Sequence, residues 1–189
     1  MDRISFTIFI PDGKKFHWTP NWIMLILWTI TIGSFWIFDS FSSSNDEFRT
    51  IVAYCVGGLS IYFIIASFFT YKALNGTLDG EIIFENSAII VNDETFELKD
   101  INALDFSFFD YYGKTTGSGR DFNPKMYQGV NNYVTFTDKF NQTHTIYFKM
   151  ETEHSYLSLD TFINAAIKAK KLQFKRGIDL LGIENISDK

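Results

Sequence analysis

The chain has 189 residues, a net charge of −5, 46% hydrophobic and 18% aromatic content, and one cysteine. With this acidic balance nothing suggests a nucleic-acid partner. The single Cys55 excludes an internal disulfide and any cysteine-built metal site.

In chain order, residues 1–20 come first. Residues 4–10 alternate as a strand, Pro11-Asp12-Gly13 supplies a turn, and 16–18 reads as a second short strand. This hairpin-like segment is a candidate to join a sheet formed further along the chain.

Residues 21–72 hold two uncharged apolar runs, 22–38 and 51–71. The second has 21 residues, and a helix of that length covers about 31 Å, close to the roughly 30 Å hydrocarbon thickness of a bilayer. The first extends to about residue 40 if Asp39 sits at the interface. Trp22, Trp36 and Tyr71 lie near the ends, where amphipathic rings favour the headgroup zone. A cleaved signal peptide would begin nearer the start and would not be followed by a second full-length run. Two all-round apolar helices would also be too much for a soluble domain of this size to cover. The expectation is a two-helix membrane hairpin, with spans at about 22–40 and 51–71.

Positive charges orient it. Arg3, Lys14, Lys15 and Lys72 flank the pair, whereas the loop 39–50 carries only Arg49. Lys and Arg are retained on the cytoplasmic side, so both termini are expected in the cytoplasm. Small residues recur four apart, Thr29 and Gly33 in one run and Ala53 and Gly57 in the other. Such spacing lets helices approach closely in lipid, either within the hairpin or between copies in a homo-oligomer. Neither run contains an ionisable Asp, Glu, Lys, Arg or His, which argues against an ion path or proton relay.

Residues 76–189 change character. Segments 79–85, 88–91, 95–98, 101–108, 133–137 and 145–150 show strand-length alternation, separated by turn residues such as Glu85-Asn86-Ser87 and Asn92-Asp93-Glu94. Ile146, Phe148 and Met150 share one face of the last strand, as in an antiparallel sheet with one wet side. Leu159, Phe162, Ile163, Ala166 and Ile167 then recur at helical spacing, with Ser155 or Ser158 as candidate N-cap and Gly177 as the stop.

The segment 109–132 interrupts the strands. It carries Tyr111, Tyr112, Gly113, Lys114, Arg120, Lys125 and Tyr127, together with Gly117, Gly119, Phe122 and Gly129. A connection this long inside a compact domain is usually functional or unstructured. Cations suit an anion and aromatic rings supply contact area, so these residues form a candidate partner-binding loop; a plain sheet-covering insertion is the alternative. Gly113-Lys114-Thr115 has the end of a P-loop without its leading glycine. A second candidate surface is the basic run Lys168, Lys170, Lys171, Lys175 and Arg176. It holds no acid, whereas 79–110 holds nine acids and one lysine. Cations at a helix end complement its dipole, and near a bilayer each adds about 1 kcal/mol of attraction to anionic headgroups.

Catalytic patterns are lacking. His17, His144 and His154 are dispersed, and Gly117-Ser118-Gly119 lacks the spacing of a nucleophile elbow. Asp93/Glu94 and Glu151/Glu153 read as solvated turn residues. No cofactor or metal is predicted, and no residue qualifies as nucleophile or base.

Short antiparallel strands followed by an amphipathic helix, preceded by two spans, resemble the bacterial membrane-anchored pleckstrin-homology-like proteins. Within them the chain looks closest to a group of small uncharacterised two-span membrane proteins. The matching residues are 78–84 (Leu-Asp-Gly-Glu-Ile-Ile-Phe), 110–114 (Asp-Tyr-Tyr-Gly-Lys), 129–132 (Gly-Val-Asn-Asn) and 181–185 (Leu-Gly-Ile-Glu-Asn). The resemblance implies a cytoplasmic PH-like antiparallel β-barrel or sandwich over 76–189, capped by a C-terminal α-helix, on an inner-membrane protein. The chain departs from phosphoinositide-binding PH domains, whose first hairpin loop is basic; here Glu85-Asn86-Ser87 stands with Asp79 and Glu81. Three function classes follow: a membrane-tethered interaction module that engages a protein or the bilayer, an accessory subunit of a larger membrane complex, and a small-ligand binder or enzyme using 109–132. The first includes strand addition at an open sheet edge.

Overall fold

The computed structural model describes residues 3–14, 16–39, 46–116 and 121–182. The protein is α+β, and the chain falls into two compact units. One comprises Met1–Gly13, Leu74–Lys114 and Tyr127–Lys189; the other comprises Lys14–Ala73 and Thr115–Met126.

Among the described residues the first unit is built on nine strands, two of which have an end in the other unit. They are β1 (Ile4–Pro11), β2 (Gly76–Glu85), β3 (Ala88–Val91), β4 (Glu94–Glu97), β5 (Ala103–Ser107), β6 (Tyr112–Thr115), β7 (Met126–Gln128), β8 (Asn132–Thr137) and β9 (Thr143–Phe148). Seven form one antiparallel sheet in the order β4-β3-β2-β1-β9-β8-β5, while β6 and β7 pair as a separate ribbon. The sheet does not close into a barrel; β4 and β5 are its two edges. β1 lies mid-sheet, with Phe6 opposite Ile82 on one side and Phe9 opposite Tyr147 on the other. Residues 16–18, expected as a second strand, lie outside any strand.

Alternation explains the faces. Along β8 the buried residues are Asn132, Val134 and Phe136, and the residues between them are partly exposed. Phe84, Phe106, Phe148 and Phe162 meet in the core, with ring centroids of Phe84 and Phe162 5.2 Å apart. Each such ring contributes about 1.5–3 kcal/mol by leaving water. Gly80 (φ +84°) is one position where glycine is required. The side chain of Asn92, itself at φ +53°, would meet a Cβ there at 2.2 Å. Asn92 Oδ1 accepts the Glu81 N–H at 3.0 Å, which ties the turn after β3 back to β2.

After β9 a 3-10 turn, Ser155–Leu159, leads into α3 (Asp160–Lys168). Phe162, Ile163 and Ala166 of α3 are buried in the core, at the helical spacing expected. The cap and stop differ from expectation. Neither Ser155 nor Ser158 caps α3; the N-cap position is Leu159, and no side chain caps the helix. The helix ends at Ala169, and Lys170 adopts φ +58°. Gly177 lies inside a further helix, α4 (Phe174–Leu180), where a Cβ would meet Ile167 Cδ1 at 2.4 Å. It serves close helix packing rather than termination.

The second unit contains two longer helices, α3's and α4's counterparts in neither length nor composition: α1 (Pro20–Asp39) and α2 (Asp46–Ser67). Pro20 occupies the first position of α1, where its missing N–H costs nothing. The two helices pack on each other. Among the described residues, Met24 and Thr31 of α1 and Val56, Ser60 and Ser67 of α2 are buried. The Thr31 and Ser60 hydroxyls donate to carbonyls four residues back, at 2.8 and 2.7 Å, so no buried hydroxyl is left unpaired there. The seam is not the small-residue spacing expected from sequence: a Cβ built on Gly33, Gly57 or Gly58 meets nothing within 4 Å. Among the described residues one helical stretch, Arg49–Ser67, is long and apolar enough to cross a membrane; it has 19 residues and is 11% buried.

Candidate functional site

The segment 109–132 is a ribbon fixed at both ends. At its root, within the first unit, Asp110 and Asn132 are buried. Asn132 Oδ1 accepts the Phe109 N–H at 2.9 Å, and Asn132 Nδ2 donates to the Asp110 and Gly129 carbonyls at 2.8 and 2.9 Å. The Asp110 carboxylate accepts the Asn131 N–H at 3.0 Å and the Asn131 side-chain amide at 2.7 Å. Buried polar groups of this density are stabilising only when all are paired. Gly129 (φ +76°) lets the strands close up, since a Cβ would stand 2.3 Å from the Met150 carbonyl oxygen and 2.6 Å from the Tyr112 nitrogen. The Tyr112 N–H donates to Met150 O and the Met150 N–H to Gly129 O. Residues 110–114 and 129–132 thus build the ribbon's root.

At the tip, within the second unit, the ribbon caps the two long helices. The Lys125 N–H donates to Ser67 O at 2.8 Å, Met126 N–H to Thr70 O at 3.2 Å, and Lys72 N–H to Met126 O at 2.8 Å. The last carbonyls of a helix have no partner of their own, so residues 125–126 complete the end of α2. At the start of α1, Asn21 Oδ1 accepts the Phe122 N–H at 2.7 Å, and Asn123 Oδ1 accepts the Asn21 N–H at 3.4 Å. One loop therefore grips the beginning of one helix and the end of the other.

These contacts occupy much of the predicted binding loop. Lys125 is 1% exposed, ion-paired to the Asp121 carboxylate, and its Nζ also donates to Asp121 O. Lys114 Nζ donates to Phe109 O at 2.6 Å and lies 5.9 Å from the Tyr111 ring. Tyr111 packs against the core, and Lys149 Nζ stands 4.7 Å over the Tyr112 ring. Gly113 adopts φ +83° in β6, and Tyr127 is half-buried in β7. Arg120, Gly117 and Gly119 lie outside the described residues. Asn21, Ser67 and Asn132 are the anchoring residues that sequence reasoning missed. The only local signal of the two asparagines is an Asn at an element's end, which is common to many helices and strands, and Ser67 contributes a backbone carbonyl that any residue carries.

The basic run divides in two. Lys168, Lys170 and Lys175 are exposed. Arg176 Nε donates to Asp105 Oδ1 at 2.8 Å and its Nη2 to Phe106 O at 2.6 Å, while Lys171 Nζ donates to Lys99 O at 3.2 Å. The Leu104 N–H donates to Lys171 O at 3.0 Å. Leu104 and Phe106 belong to edge strand β5, so residues 171–176 seal that edge against strand addition. The opposite edge strand, β4, is four residues long with Glu94 and Glu97 at its ends, and Glu97 pairs with Lys99. The Glu97 hydrogen bond, followed by its charge, raises the Lys99 ammonium above its ordinary value.

A cleft of about 350 Å³ beside β4 is lined by Glu94, Glu97, Asp100, Phe140 and the Asp138–His144 pair. His144 stacks on Phe136 at 4.9 Å, and its Nε2 lies 3.1 Å from Asp138 Oδ2. Burial alone would raise the Asp138 carboxyl. Hydrogen bonds from His144 and from the Gln142 and Phe140 N–H groups outweigh it and hold the group below its ordinary value. The arrangement braces the turn between β8 and β9 and brings no nucleophile beside a base. Glu151 and His154 stand at a Glu-x-x-His spacing, but among the described residues no three His, Cys, Asp or Glu gather to hold a metal. Set against family models, curated proteins and solved structures, the chain matches none of them.

Proposed function

We propose that this protein is a membrane-anchored interaction module. In this reading α1 and α2 cross the bilayer as a hairpin, both termini are cytoplasmic, and the sheet with α3 is a PH-like domain presented at the inner surface. The observation that carries it is the outward direction of the apolar side chains. Ile30, Trp36, Ile51, Tyr54, Ile61 and Ile65 are each at least half exposed. Such a surface on a soluble protein would aggregate, whereas in hydrocarbon it is matched by lipid. The PH-like kinship is supported by the antiparallel sheet and by α3 filling its core, although the sheet here is open and takes up a strand from before the helices.

Fractionation tests the reading. The full chain should stay in the pellet after alkaline extraction, and fluorescent-protein fusions at both ends should fluoresce from the cytoplasm. Release into the supernatant would reject the anchor, and an active periplasmic alkaline phosphatase fusion at either end would reject the orientation. A second reading, an accessory subunit, is favoured by the unoccupied space beside Gly33, Gly57 and Gly58, which suits a further helix. Its mark would be loss of the protein from membranes when a partner is deleted. The ligand-binding reading of 109–132 has less support, because Lys125 and Lys114 are already engaged within the chain.

A further inference from the structure

Within the membrane-anchored reading, we propose that the turn joining α3 to α4 is a second lipid contact, a basic and aromatic corner that inserts Phe174 into an anionic bilayer surface. The corner is anchored to the core. Leu172 is 4% exposed and sits in the hydrophobic core, and Lys171 O accepts the Leu104 N–H at 3.0 Å. The chain reverses at Lys170, whose φ is +58°. With 171 and 172 pinned inward, Lys168, Lys170, Gln173, Phe174 and Lys175 are left exposed.

Phe174 is 68% exposed at the start of α4. A large exposed ring in a lysine-rich segment is the composition of surfaces that lie in the headgroup zone, where the ring enters the acyl boundary and the ammonium groups meet phosphates. Charge complementarity selects the lipid. Residues 168–176 hold five cations and no acid, and Asp179 is the only carboxylate on α4. The two cations spent internally, Lys171 and Arg176, fix the scaffold, and the three exposed lysines provide the attraction. This divides the roles within one basic run.

The test uses the full-length protein with Cys55→Ser and Gln173→Cys, labelled at the new thiol and reconstituted into vesicles containing doxyl-labelled lipid. In phosphatidylglycerol-rich vesicles the label should be quenched. Quenching should fall several-fold in pure phosphatidylcholine, with Phe174→Ser, or with Lys168→Gln/Lys170→Asn/Lys175→Gln combined; asparagine at 170 tolerates the positive φ. All four side chains are exposed, and circular dichroism should show that the fold is kept. Absence of quenching in phosphatidylglycerol, or equal quenching in phosphatidylcholine or in the variants, would overturn the proposal. Alkaline extraction of the same vesicles separates the two failures: a protein that remains embedded but shows no quenching loses only the corner, and one that is released loses the anchor as well.

Discussion

The Asn132 side chain exchanges two hydrogen bonds with the Asp110 backbone, its amide donating to the Asp110 carbonyl at 2.8 Å and its carbonyl oxygen accepting the Asp110 N–H at 3.3 Å. The side chain thus stands where a neighbouring strand would, and it joins the two ends of the excursion 111–131 at a buried point. The same oxygen also serves the Phe109 N–H. Replacing Asn132 by alanine leaves these buried backbone groups without partners, each at about 1–3 kcal/mol. The expected loss is at least about 2 kcal/mol in denaturant unfolding of the detergent-solubilised chain. Asn131→Ala, which removes one bond to the Asp110 carboxylate, should cost less than half as much.

Two glycines make a paired prediction. Alanine at Gly129 would require a positive φ and would push against the Met150 and Tyr112 backbones, neither of which can move without breaking the ribbon root. Gly129→Ala should lower stability by more than about 2 kcal/mol. At Gly177 the closest atom is the flexible end of Ile167, and alanine's helix preference of about 1 kcal/mol offsets the adjustment. Gly177→Ala should therefore leave the melting temperature within a few degrees of wild type, whereas Gly177→Leu should lower it clearly.

The ion pair at the ribbon tip predicts an asymmetry. Asp121→Asn leaves the buried Lys125 ammonium donating to the residue 121 carbonyl without a carboxylate beside it, and removing one partner of a buried pair destabilises strongly. Because Asp121 is 40% exposed, the expected cost is about 1–3 kcal/mol, read as faster hydrogen exchange at residues 67–72. Lys125→Met removes the charge with its partner's demand and should be nearly neutral. Equal exchange in both variants would rule out the charge as the origin of the effect.

Acid stability should depend on Asp138. Its carboxyl is held below the ordinary value of about 3.9, so its contribution is present above that value and is lost as pH falls through the lower, folded value. Asp138→Asn should flatten the stability curve below about pH 4. It should leave the slope between pH 7 and 8 unchanged. Denaturation midpoints measured against pH give both slopes.

Much of the sheet was legible because its signals are local. In β2, β3, β8 and β9, alternation and turn residues lie within a few positions of one another, and a face that leaves water must repeat every second residue. The helical spacing of Phe162, Ile163 and Ala166 is visible for the same reason. The place of β1 was not: its pairing with β2 joins residues 4–11 to 76–85 across two helices, and any alternating segment has the same local appearance. Gly177 misled because glycine is equally suited to ending a helix and to letting one pack closely; the turn at Lys170 had already ended α3. The anchoring of 109–132 was not legible, because many of its partners are backbone groups, those of Ser67, Thr70 and Met150 among them. Every residue type carries the same N–H and C=O, so composition holds no trace of them. By itself the sequence determined the apolar runs, the strands with local turns and the core face of α3. Tertiary structure alone decided which cations were spent on sealing β5 and which remained exposed, because that depends on distances between segments about 70 residues apart.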